Sequence, residues 1–254
     1  MIRHLFVSIH SILKKLFPAR LTSLRFSTIY FDLSLLNRLM VIIAILLVTT
    51  TYGQDINNQQ EQDYLKVIKA RSEKIVNVLE ITDSHKYNTV LNELIRQYSC
   101  VNSIHEKSNE IVTKIKQQAL SKEEAEEAIK KQELKKSEKL EQRHARFIAQ
   151  LKISLTEDQL DKVKDGMTYR VFPITYAGYL DMLPALTEEQ RNQIYIWLKE
   201  ARELAIDAES SEKKHAVFGK YKGRINNYLS KAGYDMKKES KAWEERIKAQ
   251  KKTN

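Results

Sequence analysis

Glycine and proline are scarce in this sequence, with 6 and 3 among 254 residues. An all-β or α/β domain of this size needs many more turn-forming residues, so the scarcity predicts an all-α fold. The single cysteine, Cys100, excludes an intramolecular disulfide framework and a thiolate zinc cluster. Flanked by Tyr98 and Val101 on a predicted helix, it reads as a buried structural thiol and not as a nucleophile. There is no GxGxxG or Walker loop, no HExxH and no Gly-x-Ser-x-Gly. Beyond residue 54 the histidines are His85, His105, His144 and His215, too scattered to build a metal site by local spacing. No metal and no cofactor is expected.

Charge of one sign is also modest. The chain carries +10, but residues 1–54 hold six of the 43 basic residues and one of the 33 acidic ones, so the remainder sits near +5. That balance permits binding to polyanions without requiring it. Residues 38–54, RLMVIIAILLVTTTYGQ, have the pattern of a cleavable export signal: Arg38, an apolar run over Leu39–Val48, then small residues at Thr51 and Gly53. About ten apolar residues are too few for a bilayer span, which takes ~20. Signal peptides seldom have so long a preface as residues 1–37, and one reading starts translation near Leu36. The expected layout is an N-terminal extension and signal (1–54), a linker (55–62) and one helical domain (63–254). Export to the periplasm or the exterior is expected, with an uncleaved anchor as the alternative.

From Asp63 onward apolar residues recur at helical spacing: Leu65, Ile68, Ile75, Val78 and Leu79 in a first helix, then Val90 to Ile115 in a long second one. Ser121 with Glu124 forms a capping box that opens a third. Seven glutamates and eight Lys/Arg alternate along Lys122–Arg146, the mark of a solvated helix, before Phe147, Ile148 and Leu151 rejoin a core. Two phrases, Leu155–Gln159 (LTEDQ) and Leu186–Gln190 (LTEEQ), repeat the capping grammar. The whole predicts a multi-helix bundle with long antiparallel helices and one irregular Tyr/Pro-rich segment at about 165–184, with Thr168–Phe172 extended and Tyr176–Met182 a short helix. Irregular segments on a rigid scaffold tend to carry function. A helix from Glu188, one over Glu212–Lys231 capped by Ser210–Ser211 and closed at Gly233, and a basic last helix complete the chain.

The densest mixture of rings, cations and amides lies in Leu183–Tyr234, and within it the best candidate site is Lys213, Lys214, His215, Lys220, Tyr221, Arg224 and Asn227. On one helix these side chains suit a carboxylated sugar, since Arg and Lys pair with uronates, rings stack on pyranose faces and amides bond hydroxyls. The bland alternative makes the rings core and the cations a solvated face. Gly219 and Gly223, costly in mid-helix, point to a close helix contact or a local opening. For chemistry, the candidates are His215 as general base, Tyr169 or Tyr176 as acid, and Lys220 or Arg224 as the anion clamp.

The span of about 155–243, which carries VKDGMTY, ITYAGYLDMLPALTEEQ and AESSEKKHAVFGKYKGRINNYLSKAGYD, closely resembles the secreted Bacteroidota proteins known as domain of unknown function 3826. That resemblance implies export, an α-helical domain and company with polysaccharide-degrading enzymes; it brings no activity. The paired LTxxQ phrases are also similar to those of periplasmic stress chaperones of the Spy and CpxP type. The leading expectation is a periplasmic binding or accessory protein for acidic glycans. The alternatives are a chaperone-like envelope-stress protein with unfolded or envelope proteins as partners, and a glycan-acting hydrolase or lyase. Nucleic acid is not expected as a partner, because export removes it, and the mature chain is expected to lack a stable membrane span.

Overall fold

A computed structural model describes residues 59–253, all but the first of them within one compact unit, Gln60–Asn254. The expected export signal, the extension before it and the first half of the linker lie outside the described residues. Among the described residues eight helices follow one another: α1 (59–77), α2 (Ser84–Gln117), α3 (Lys122–Ser154), α4 (Glu157–Met167), α5 (Val171–Met182), α6 (Glu188–Ile206), α7 (Ser211–Lys231) and α8 (Met236–Thr253). Among the described residues there is no strand. The chain is an all-α bundle.

The helix starts follow from local chemistry. Ser121 with Glu124, Thr156 with Gln159 and Thr187 with Gln190 each form a full capping box, both reciprocal hydrogen bonds present. Asp83 and Ser210 cap α2 and α7 by accepting from the N–H groups of Lys86 and Lys213. At the end of α7, Gly233 (φ 97°) lets Tyr234 N–H reach Leu229 O and Gly233 N–H reach Ser230 O, the paired bonds of a Schellman turn.

Helices α2 and α3 form an antiparallel hairpin. Gln132 donates to Ser108 near its tip, while Arg143 meets Gln97 and Glu93 near its base. At ~1.5 Å per residue each arm is about 50 Å long. Before Phe147 no residue of α3 is buried, as its balanced charge predicts. A first core joins Ile68, Ile75 and Val76 of α1, Leu94 of α2, Phe147 and Leu151 of α3, Val163 and Met167 of α4, and Ile206. A second joins Phe172 and Tyr179 of α5, Ile194, Leu198 and Ala201 of α6, and Phe218, Ile225 and Leu229 of α7. Helix α6 therefore spans both cores.

Four local expectations need correction. The Tyr/Pro-rich segment is helical over most of its length: α5 begins at Val171, not Tyr176, and Thr168–Phe172 is not extended. Pro173 falls in the first turn of α5, where a missing N–H breaks no helical bond. Leu65 and Val78 belong to no core and stand exposed. Cys100 is half-buried. Finally, a Cβ added at Gly219 or Gly223 would meet nothing within 4 Å, and α7 runs unbroken through both, so neither marks a close contact or an opening. Gly219→Ala and Gly223→Ala should each stabilise the fold by about 1 kcal/mol, which is about 2–4 °C in Tm for a chain of this size. Thermal unfolding checks this; a fall in Tm for either variant would contradict the open surroundings of these glycines.

Helix α8 docks through polar ends. Trp243 Nε1–H donates to Asp181 at 2.6 Å, and Arg246 donates to the carbonyls of Asp181 and Met182.

Candidate functional site

Two groups of polar residues gather where α6 crosses the other helices, and they differ in whether their charges are already matched. The first is internal. Arg202, 1 % exposed, donates to Asp165 at 2.7 Å and Asp161 at 2.6 Å, and its guanidinium lies 5.0 Å from the Phe172 ring centre. Burial works against its charge, but the two carboxylates raise its pKa. A turn further on, His144 lies between Asp207 (2.7 Å) and Glu203 (3.4 Å), and these hydrogen bonds lift the imidazole pKa to about 9. Burial would raise Glu203, yet His144 and Lys164 hold it down at about 2. Arg143 spans Gln97 and Glu93, and Gln97 passes the network on to Asp207.

The last carbonyls of α6 are also spoken for. Lys214, 5 % exposed, donates to Ala205 O and Ile206 O, and His105 Nε2 donates to Asp207 O. A buried cation at a helix C-terminus answers both the orphan carbonyls and the helix dipole. Burial lowers the Lys214 pKa to about 8. Every charge in this group has a partner, and its work is to lock α6 to α2, α3, α4 and α7.

The second group is open. A groove of about 930 Å³ lies between α1 and the α4–α5 joint, lined by Val67, Ala70, Ile75, Val78, Gly166 and Pro173 and by Arg71, Lys74, Lys162, Asp165, Tyr169 and Arg170. A Cβ on Gly166 would stand 2.8 Å from Ile75 Cγ1, so glycine is what lets α4 approach α1 this closely. Asp165 is taken by Arg202. Lys162 has Asp158 at 3.7 Å on the surface, whereas Arg71, Lys74 and Arg170 have no ion-pair partner among the described residues. Cations that form no ion pair, beside exposed Val67 and Val78, make a surface suited to an amphipathic anion.

The joint itself is strained. Helix α4 closes with Arg170 N–H on Asp165 O (2.7 Å) and Tyr169 N–H on Gly166 O (3.4 Å), the Schellman pattern again. Here, however, the left-handed positions are Tyr169 and Arg170, each at φ 57°. Non-glycine residues in that region cost on the order of 1–3 kcal/mol each, and such strain gathers at functional sites. Beyond the groove Tyr169 continues toward α7: its ring centre is 5.6 Å from that of His215 and 5.8 Å from the Arg71 guanidinium carbon.

The residues singled out from the sequence are thus divided. Tyr169 lines the groove and the His215 ring touches the Tyr169 ring from outside the lining; Tyr176 packs against Phe172 and Tyr195 and stands apart from them. Lys214 is withdrawn from the exposed cations of α7 and serves the end of α6. Lys213, Lys220 and Asn227 are exposed. Arg224 lies over the Trp197 ring at 4.4 Å with Glu200 at 3.9 Å, and Tyr221 packs against the second core. Arg71, Lys74, Lys162 and Arg170 were missed. One signal was legible: Val67, Ala70, Arg71 and Lys74 stand at helical spacing (i, i+3, i+4, i+7), a second stripe on α1 that Val78 continues just past its end.

Among the described residues no cluster of three His, Cys, Asp or Glu is arranged to hold a metal ion, and no helix is long and apolar enough to cross a membrane. Compared with known proteins, residues 65–249 match the model of the family described as "Protein of unknown function (DUF3826)", and the chain belongs to that family. No curated protein matches it.

Proposed function

We propose that this family member is an exported binding protein for acidic glycans, and that the groove between α1 and the α4–α5 joint takes the uronate chain. The observation that carries the reading is the set of unpaired cations, Arg71, Lys74 and Arg170, around an apolar floor with Tyr169 at its edge. Uronate carboxylates would pair with the cations, Arg in bidentate fashion, and pyranose faces would lie on Pro173, Val78 and the Tyr169 ring. On the alternative surface on α7, with Lys213, Lys220, Tyr221, Arg224 and Asn227, the Arg224 guanidinium already has the Glu200 carboxylate at 3.9 Å and the Trp197 ring at 4.4 Å. The signal-like segment at 38–53 supports delivery to the periplasm or exterior. Intact mass of the native protein tests this: a mature start near Gln54 is expected, and retention of residues 1–37 would overturn cleavage.

Binding to polygalacturonate should weaken as salt rises, since exposed charges are screened. Removing a charged hydrogen bond of about 1.5–3 kcal/mol should make Arg71→Ala bind about 10–100-fold more weakly. Lys220→Ala with Arg224→Ala should stay near wild type. The reverse ranking, measured by calorimetry or affinity electrophoresis, would move the site to α7. If no acidic glycan binds and an unfolded client is kept soluble instead, exposed Val67 and Val78 become a chaperone surface. The LTxxQ phrases need no such role, since each is a complete helix start.

A further inference from the structure

We infer that the edge of the groove carries acid–base chemistry: a β-elimination on 4-linked uronates with His215 as base, Tyr169 as acid and Arg71 as the carboxylate's partner. This rests on the acidic-glycan reading above. The tautomer of His215 is decided by a neighbour. Its Nδ1 lies 2.9 Å from Ser211 O, and a carbonyl oxygen only accepts, so Nδ1 carries the proton of the neutral ring. The Nε2 lone pair is left for another proton, on an exposed side chain that a polymer can reach. The Tyr169 hydroxyl makes no hydrogen bond among the described residues. Tyr169 is also one of the two strained residues of the α4–α5 joint, so its ring is held between Arg71 and His215 at a cost in backbone energy.

These three groups are what the reaction asks for. The proton on C5 of a uronate is acidic only when the adjacent carboxylate is neutralised, the work of Arg71 with Arg170 on the same groove. His215 Nε2 takes that proton, and the C5–H electron pair becomes the C4=C5 double bond. The C4–O bond breaks, its electron pair leaves on the glycosidic oxygen, and Tyr169 O–H protonates that oxygen. The imidazolium then returns its proton to the tyrosinate. Atoms and electrons balance, and no oxidant, reductant or water is consumed.

The test incubates the full protein with polygalacturonate and with alginate, following the ultraviolet absorbance of the unsaturated uronate end alongside direct binding. Absorbance should grow with one polymer. It should fall at least about 100-fold in Tyr169→Phe and His215→Ala, the range for loss of a general acid or base, with affinity within a few-fold of wild type. Circular dichroism confirms that both variants fold. Binding without absorbance overturns the elimination and leaves the binding reading standing. Cleavage without absorbance, or activity retained in both variants, also overturns it. Failure to bind either polymer removes the glycan reading itself.

Discussion

Replacing Arg202 with alanine should lower the unfolding free energy by about 3–5 kcal/mol, the range for breaking a buried ion pair from one side. The guanidinium is 1 % exposed, and two carboxylates at 2.6 and 2.7 Å share it. Truncation leaves Asp165, whose side chain is only 20 % exposed, without its cation and opens a void against Phe172. Asp161 is half exposed and recovers by hydration, so most of the loss falls on Asp165. Lysine should rescue only in part, because a point charge cannot donate to both acids in the geometry of the planar fork. At about 2–4 °C per kcal/mol the alanine variant should melt about 6–20 °C below wild type. A Tm within about 2 °C would contradict the buried pairing. The groove should feel it too, since Asp165 lines both the ion pair and the cavity.

The second large effect is on pH. Paired with Asp207 and Glu203, His144 has its pKa lifted to about 9 in the folded chain, above the ordinary ~6.5. A raised pKa gives stability that is complete below about pH 6.5 and is lost as pH climbs through about 9. Lys214 acts with the opposite sign: its pKa is lowered to about 8, so folding gains as pH rises from there toward the ordinary lysine value. The clean readout is therefore the difference between wild type and His144→Gln, which removes only the first effect. The gap in Tm should be widest near pH 6 and should close toward pH 9. A gap that stays constant over this range would mean that His144 is not charged in the fold.

What the sequence made legible was local. A capping box needs only a side chain and an N–H three residues away, so Ser121, Thr156 and Thr187 announce their helices from spacing alone. The closing turn at Gly233 is equally short-range. The all-α class followed from scarce glycine and proline. The segment at 165–184 was misjudged as irregular because it combines prolines with Gly166 and Gly178, while a first-turn proline and glycines within packed helices break nothing. The solvated look of α3 hid Arg143 and His144, whose partners Glu93, Gln97, Glu203 and Asp207 are more than 40 residues away along the chain. Lys214 could have been found: it lies four residues before Phe218 on the stripe that continues to Ile225 and Leu229, so it faces inward by periodicity. The groove could not, because the stripe on α1 gains meaning only when α4 and α5 fold against it. Tyr169 and His215 were each singled out for acid–base work, but only the fold brings their rings together.

The most direct measurement is a crystal structure of the protein with a short oligogalacturonate. The expected result is a uronate carboxylate within hydrogen-bond distance of Arg71, with its sugar ring over Pro173 and Tyr169. An oligosaccharide seated instead along Lys220, Tyr221 and Arg224 of α7, with the groove beside α1 empty, would contradict it.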